Sequence, residues 1–326
     1  MRKGLLDSMD STYLRLSIED ACNLRCRYCR PERDLDFGEP ALEGRPVLGQ
    51  DALIGLVSAC HRVLPIYKLR LTGGEPLIRA DVVELVARLR DMLPEVELCM
   101  TTNGTMLEKL AVPLKQAGLD RINLSLDTLD ADRYRDLTRG GRLADVLAGI
   151  RAAKDAGFDK LKLNAVLLES GNGSSLRDLV YFGAEQGCEV RFIELMPISV
   201  AAGMHRKEFL SADMARQRLA ESFEDLGATS SDSTASRVRF MVKGQKQTVG
   251  FIPSVSHPFC KTCDRLRMDS RGRLFACLRR PEGLDLAGAL ARGDEAEVER
   301  RIQRVLDAKC PAVSVWPGRQ MSAIGG

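Results

Sequence analysis

Histidine is scarce in this sequence of 326 residues. Its three copies, His61, His205 and His257, form no HxxxH or HxH pair, which sets aside a histidine-built zinc or non-haem iron site. No apolar run approaches the roughly 20 residues that cross a bilayer, so no membrane association is expected. Met1 to Ser11 carries a little positive charge but no apolar stretch and no small-residue cleavage site. It does not read as a signal peptide, and a cytoplasmic location is expected. Net charge is also small, +3 from 48 basic and 45 acidic side chains, too little to suggest a nucleic-acid partner. That charge is unevenly spread. Residues 261 to 280 hold Lys261, Arg265, Arg267, Arg271, Arg273, Arg279 and Arg280 against Asp264 and Asp269, so this window carries +5 and the remainder −2. An anionic ligand is expected there.

Cysteine, by contrast, is plentiful, and six of the ten fall into two triplets: Cys22, Cys26, Cys29 and Cys260, Cys263, Cys277. In a chain of this size without a signal peptide, such cysteines point to metal or redox chemistry rather than disulfides. Each triplet is one ligand short of a closed tetrahedral site, which leaves a position for a non-protein ligand. Cys60, Cys99, Cys188 and Cys310 stand alone in apolar surroundings and read as small buried hydrophobes.

Short apolar segments alternate with amphipathic ones. Strands are expected at Tyr13–Ile18, Lys68–Leu71, Glu97–Thr101, Arg121–Leu126, Leu161–Leu167 and Glu189–Glu194, and helices at Asp51–Leu64, Ala80–Met92, Met106–Ala117, Leu143–Ala156, Ser175–Gln186 and Ala212–Glu224. This is α/β alternation with a parallel sheet, either doubly wound or most of a (β/α) barrel. Both architectures gather functional groups at the carboxyl ends of strands. Those ends carry Gly73-Gly74-Glu75-Pro76, Thr101-Thr102-Asn103-Gly104, Ser125 with Asp127, and Glu194 with Met196-Pro197, and Asn164 lies within the fifth strand. Pro31 to Gln50 reads as an irregular loop and Gly227–Ser236 as a linker. Beyond it, Arg237–Val242 and Gln247–Ile252 read as antiparallel strands, with a helix from Glu295 to Ala308. The chain is therefore divided into residues 1–226 and 227–326.

The first triplet has CxxxCxxC spacing, with Tyr28 before its last cysteine, and follows the first strand directly. Such a loop can wrap a cubane iron–sulfur cluster with one iron left open; a zinc knuckle would need a fourth ligand nearby. With Gly73-Gly74-Glu75-Pro76 after the second strand, the sequence resembles the radical S-adenosylmethionine (SAM) superfamily. That resemblance implies a partial (β/α)6 TIM-type barrel, a SAM-binding 4Fe–4S cluster, and homolysis of a SAM C–S bond to give a 5′-deoxyadenosyl radical. The second triplet narrows the resemblance. Cys260-Lys-Thr-Cys263, thirteen residues, then Cys277, with Asp264-Arg265-Leu266-Arg267 and a terminal Gly325-Gly326, is similar to the GTP 3′,8-cyclase family of molybdenum-cofactor biosynthesis.

The family resemblance implies a C-terminal extension with antiparallel strands and a second 4Fe–4S cluster on Cys260, Cys263 and Cys277, whose open iron meets guanine. It implies SAM contacts at Tyr28, Gly74, Ser125 and Met196. It implies GTP contacts at Arg15, Arg70, Thr101, Lys162, Arg265, Leu266 and Arg267, with Arg191 a competitor for the place of Arg70. Arg265, Arg267, Gly325 and Gly326 would support catalysis. The implied reaction removes hydrogen from ribose C3′, joins C3′ to guanine C8, and ends at 3′,8-cyclo-7,8-dihydroguanosine triphosphate. An external electron donor, cyclic pyranopterin monophosphate synthase as the downstream enzyme, and a homodimer belong to the same implication. The sequence departs from the family pattern at Arg30 after Cys29, at Ala21, and over the Gly/Ser-rich Glu169–Ser175. Two other readings remain open: a radical SAM peptide maturase with an auxiliary cluster, and a non-catalytic iron–sulfur redox sensor.

Overall fold

Six segments in which large apolar residues occupy every second position form strands β1 (Thr12–Ser17), β2 (Ile66–Thr72), β3 (Glu97–Thr102), β4 (Arg121–Ser125), β5 (Lys162–Leu167) and β6 (Glu189–Glu194). The computed structural model describes residues 10–30, 46–229, 235–280 and 282–309; Cys310, Gly325 and Gly326 lie outside them. The six strands are parallel and lie side by side in sequence order. Every crossover therefore advances in one direction, which curls the sheet as a barrel does; a doubly wound sheet would reverse its order at a switch point. The partial barrel expected from the motifs is the observed architecture.

Helices α1 (Gln50–Val63), α2 (Val82–Met92), α3 (Leu107–Gln116), α4 (Ala131–Thr138), α5 (Leu143–Asp155), α6 (Leu176–Gln186), α7 (Ala201–Glu208) and α8 (Ala212–Ala220) follow the strands. Leu14, Leu16, Leu69, Leu71, Leu98, Met100, Ile122, Leu124 and Leu163 point outward to them and are fully buried. They form one continuous core with Leu56 of α1, Leu85 of α2, Leu114 of α3 and Ile150 of α5. Burial of apolar area on this outer face is the main stabilising term. It leaves the inner face of the sheet free to carry polar residues.

The carboxy-terminal part adds β7 (Glu224–Ala228), β8 (Ser236–Val242), β9 (Gln245–Ile252), β10 (Arg265–Met268), β11 (Arg273–Phe275), β12 (Leu284–Asp285), α9 (Ala287–Ala291) and α10 (Glu295–Asp307). These strands extend both edges of the barrel sheet. β9 pairs parallel with β6 and β10 parallel with β1, giving a twelve-stranded sheet among the described residues. β7 and β8 continue antiparallel from β9, and β11 and β12 from β10.

Two local expectations are corrected. The helix expected to reach Glu224 stops at Ala220, and the expected linker begins inside β7. Pairing of Glu224 with Met241 and Asp225 with Phe240 draws this segment onto the sheet, and Gly227, at φ 88°, sits in the register shift before Ala228. Helices α4 and α7 were not legible: both are rich in charged or polar residues and bury few apolar ones, Tyr134 and Leu137 in α4 and Ala201 in α7.

Candidate active site

Residues that point outward on each strand leave their neighbours pointing inward, and those neighbours line a cavity of about 610 Å³. Cys22, Cys26, Cys29, Cys260, Cys263 and Cys277 all border it. So do Tyr28, Gly74, Ser125, Met196, Arg15, Arg70, Thr101, Lys162, Arg265 and Arg267. Leu266 is the exception. The two-residue period of β10 turns its side chain to the opposite face, where it is buried in the core, so a side-chain contact with substrate is ruled out. Gly325 and Gly326, expected to support catalysis, lie outside the described residues.

The first triplet occupies the loop at the carboxyl end of β1. Its root, Glu19 to Ala21, lies against Gly73 and Gly74: Gly74 N donates to Glu19 O at 2.7 Å and Glu75 N to Ala21 O at 2.8 Å. A Cβ on either glycine would collide with those carbonyls, which is why the turn after β2 needs two glycines. Glu75 is buried and accepts from Thr102 Oγ1 at 2.6 Å, Asn103 N at 2.7 Å and Leu77 N at 3.1 Å, locking this turn to the end of β3. Burial raises its carboxyl to about 7 despite those bonds. On the other side of the loop, Arg25 N and Arg27 N donate to Thr138 O and Leu137 O at the end of α4. Tyr28 donates to Asp127 Oδ2 at 2.6 Å.

This loop fits an iron–sulfur cluster by its donor chemistry. Burial, then the proximity of Cys29, Asp127 and Cys22, holds the Cys26 thiol well above the ordinary range, and burial raises Cys22 as well. Free thiolates are thus disfavoured until a cationic iron core binds them. Among the described residues no group of three or more His, Cys, Asp or Glu surrounds a single metal-ion position. A cubane asks for something different, one thiolate at each of three separate irons.

The second triplet lies at the opposite end of the barrel. β10 runs parallel to β1 with Arg265 beside Tyr13, so Cys260 and Cys263, which precede it, sit at the amino end of β1. Antiparallel β11 returns the chain to the same end and delivers Cys277 there. Arg279 N donates to Cys277 Sγ at 3.4 Å, and Arg279 Nη2 to Ser254 O at 2.7 Å. Lys309, buried after α10, donates to Arg265 O at 2.6 Å and Ala276 O at 3.1 Å, tying together the two segments that carry Cys263 and Cys277. Functional groups were expected to gather at the carboxyl ends; antiparallel return of the carboxy-terminal strands places a second set at the amino ends.

Between the triplets the inner wall is cationic. Register sets Arg267, Arg15 and Arg70 in one row and Arg265, Tyr13 and Lys68 in the next. Glu97 pairs with Lys68 and Arg121, and Glu189 with Lys162 at 2.9 Å, Arg191 at 2.6 Å and Arg237 at 3.2 Å. Burial and neighbouring guanidiniums lower Lys162 to about 8, Arg267 to about 9 and Arg15 to about 10. Buried charge in this excess is stabilised by a polyanion. Thr72 Oγ1, Asn123 Oδ1 and Asn164 Oδ1 also line the cavity, are buried, and meet no partner among the described residues. Unpartnered polar atoms at such a surface suit a polar ligand. Lys68, Arg121 and Asn123 escaped the sequence reading. The signal was present: a parallel strand covered by helices on one face and core on the other reads apolar throughout, whereas Lys-Leu-Arg-Leu-Thr and Arg-Ile-Asn-Leu-Ser alternate.

Residues 16–182 match the Radical SAM superfamily and residues 188–315 match Molybdenum Cofactor Synthesis C. The chain is 41% identical over 329 residues to a GTP 3′,8-cyclase of Pseudomonas putida (strain W619), covering 99% of this chain and 95% of that one. It is 38% identical over 311 residues to a GTP 3′,8-cyclase of Lactiplantibacillus plantarum, covering 94% and 90%. Among solved structures, SuiB of Streptococcus suis bound to S-adenosylmethionine superposes with a TM-score of 0.64 at 15% identity, over 85% of this chain and 64% of SuiB. That likeness is one of fold.

Proposed function

This chain belongs to the GTP 3′,8-cyclase family of radical SAM enzymes, and we propose the following division of labour among its residues. The protein is a lyase that converts GTP to 3′,8-cyclo-7,8-dihydro-GTP, the first step of molybdenum-cofactor biosynthesis, with two 4Fe–4S clusters and SAM as cofactors. One observation carries this reading: two cysteine triplets face each other across a single cavity whose wall between them is cationic.

Residues 1–226 would serve SAM. Cys22, Cys26 and Cys29 hold the first cluster, the backbone at Gly74 meets the SAM amino group, and Ser125, Tyr28 and Met196 border the rest. When bound, this cluster and SAM supply a 5′-deoxyadenosyl radical for hydrogen abstraction from ribose C3′. Residues 227–326 would hold the second cluster on Cys260, Cys263 and Cys277 and orient guanine. Arg15, Arg70, Lys162, Arg265 and Arg267 clamp the triphosphate, with Thr101 beside them; Lys68, Arg121 and Arg191 add charge from the same wall. Fixing both ends of GTP holds C3′ toward the SAM end and keeps C8 within reach of it, and this positioning is the protein's contribution to rate. The guanidinium wall makes a peptide substrate a poor fit. Gly325 and Gly326 complete the proposed supporting groups. A cytoplasmic location, an external electron donor, a homodimer and delivery of product to cyclic pyranopterin monophosphate synthase belong to the same proposal. No described helix is long and apolar enough to cross a membrane.

The direct test is anaerobic turnover of reconstituted protein with dithionite, SAM and GTP. Formation of 5′-deoxyadenosine together with the cyclised nucleotide is expected; no 5′-deoxyadenosine despite full iron loading would sink the reading. Cys277→Ala should lower iron from about eight to about four per chain. It should leave the first cluster visible by electron paramagnetic resonance and abolish GTP cyclisation.

A further inference from the structure

Tyr13 is a phenol set inside the cationic rows of the cavity wall, and the proposed function gives it no task. It sits on β1 in register with Arg265 of β10 and Lys68 of β2. Its hydroxyl accepts from Arg70 Nε, and Arg15 also hydrogen-bonds it. Three cations stand against its ring: Arg265 Cζ at 5.3 Å, Lys68 Nζ at 5.4 Å and Arg70 Cζ at 5.7 Å from the centroid. Tyr67 of β2 also faces this place, with its own hydroxyl donated to Asp264 Oδ2 at 2.5 Å. Arg267 lies in the adjoining row, and Glu97 of β3 is paired with Lys68. Two guanidiniums donating to one phenol oxygen, with a third guanidinium and an ammonium nearby, favour the ionised form. Burial alone would raise the phenol, but Arg70, Arg15 and Arg265 outweigh it and bring Tyr13 down to about 7.

We propose that Tyr13 is the resident counter-ion of the triphosphate pocket: its phenolate gathers Arg15, Arg70 and Arg265 in the free protein, and it takes up a proton from solvent when the triphosphate of GTP enters among those cations. Resting on the reading of GTP as ligand, this makes Tyr13 a positioning residue that preorganises the clamp. It also links binding to pH. A phenolate that must be protonated on binding opposes GTP more strongly as pH rises above its own midpoint. The phenolate is the charged partner of the cations without ligand and a neutral hydroxyl with ligand, so the balance is one proton gained per GTP bound.

Isothermal titration of the two-cluster protein with GTP, without SAM, in buffers of different ionisation enthalpy reads this proton directly. At pH 8 the native protein should take up close to one proton more than Tyr13→Phe, which keeps the ring and its cation contacts but cannot ionise. Between pH 6 and pH 8 the affinity of the native protein should fall about tenfold relative to that of the variant, from a midpoint near 7. Incorporation of 3-fluorotyrosine, whose phenol is more acidic, should move that midpoint down. A merely structural role would leave proton number and midpoint unchanged. Equal proton uptake and parallel pH profiles with normal GTP binding would overturn the assignment of Tyr13 alone. Absence of GTP binding in both proteins would overturn the substrate reading and this inference together.

Discussion

Glu189 carries more cations than any other carboxylate described, and the clamp depends on it. Lys162, Arg191 and Arg237 all bond its oxygens. Burial would raise its pKa, but Arg191 and Lys162 hold it down at about 2. Because the folded value is depressed, the stability it contributes is fully present above its unfolded pKa of about 4.3 and is lost as pH falls through about 2. Glu189→Gln removes the anion shared by buried Lys162 and Arg191 and half-buried Arg237. A loss of about 3 kcal/mol at pH 7 is expected. Thermal denaturation of both proteins should show the gap closing as pH is lowered from 5 toward 2, and a pH-independent gap would refute the electrostatic account. The same scale explains why Leu266 belongs to the core while the arginines on either side of it face the cavity. One residue along a strand exchanges faces, so a motif written as a contiguous run is split by the pleat.

At the scale of elements, the two glycines after β2 and the short helix α4 act on the same loop from opposite sides. Gly73 and Gly74 allow its root to lie against their backbone, and the carbonyls at the end of α4 receive Arg25 N and Arg27 N. α4 is only two turns long and is held at its start by Asp130, whose side chain accepts from Asp132 N and Arg133 N. Asp130→Ala should cost about 1 kcal/mol. Its more specific expected effect is on the first cluster. Loosened carbonyls at Leu137 and Thr138 should speed oxygen-driven bleaching of that cluster while sparing the second. Bleaching at native rate, measured at 410 nm in air, would show that α4 does not brace the loop. Nothing in the sequence around Ala131–Thr138 marks it as such a support, since its role comes from two backbone carbonyls.

On the whole-molecule scale, the sheet is continuous across the proposed division at residue 227. β9 and β10 cover the edges of β6 and β1, and Arg271 and Ser270, at the β10–β11 turn, both bond the Asp20 carboxylate beside the first triplet. A fragment of residues 1–226 would expose both strand edges and the apolar residues that Leu266, Met268 and Val249 cover. It should be recovered as aggregate or with little iron. A soluble fragment that cleaves SAM would show that the barrel is self-sufficient. A closed eight-stranded barrel fills its interior with side chains. Here eight parallel strands, among those described, carry charged residues inward and leave a cavity, and substrate takes the place of core.

Spacing alone made the two triplets, the glycine pair and the βα alternation legible, because each is a local requirement: a loop long enough to wrap a cluster, a turn without Cβ atoms, a period of apolar residues. Those motifs carry the family resemblance, and it was the resemblance that implied the cofactors and the partial barrel. Only the tertiary structure added Lys68 and Arg121 to the charges that share the pocket. Lys68, Arg121, Lys162, Arg191 and Arg267 come from five strands, and strand register brings them to one surface. It decided as well that the triplets face each other from opposite ends, because a parallel β10 followed by an antiparallel β11 reverses where the second one lies. Local pattern sets which way a side chain points; what it then meets is set by contacts distant in sequence.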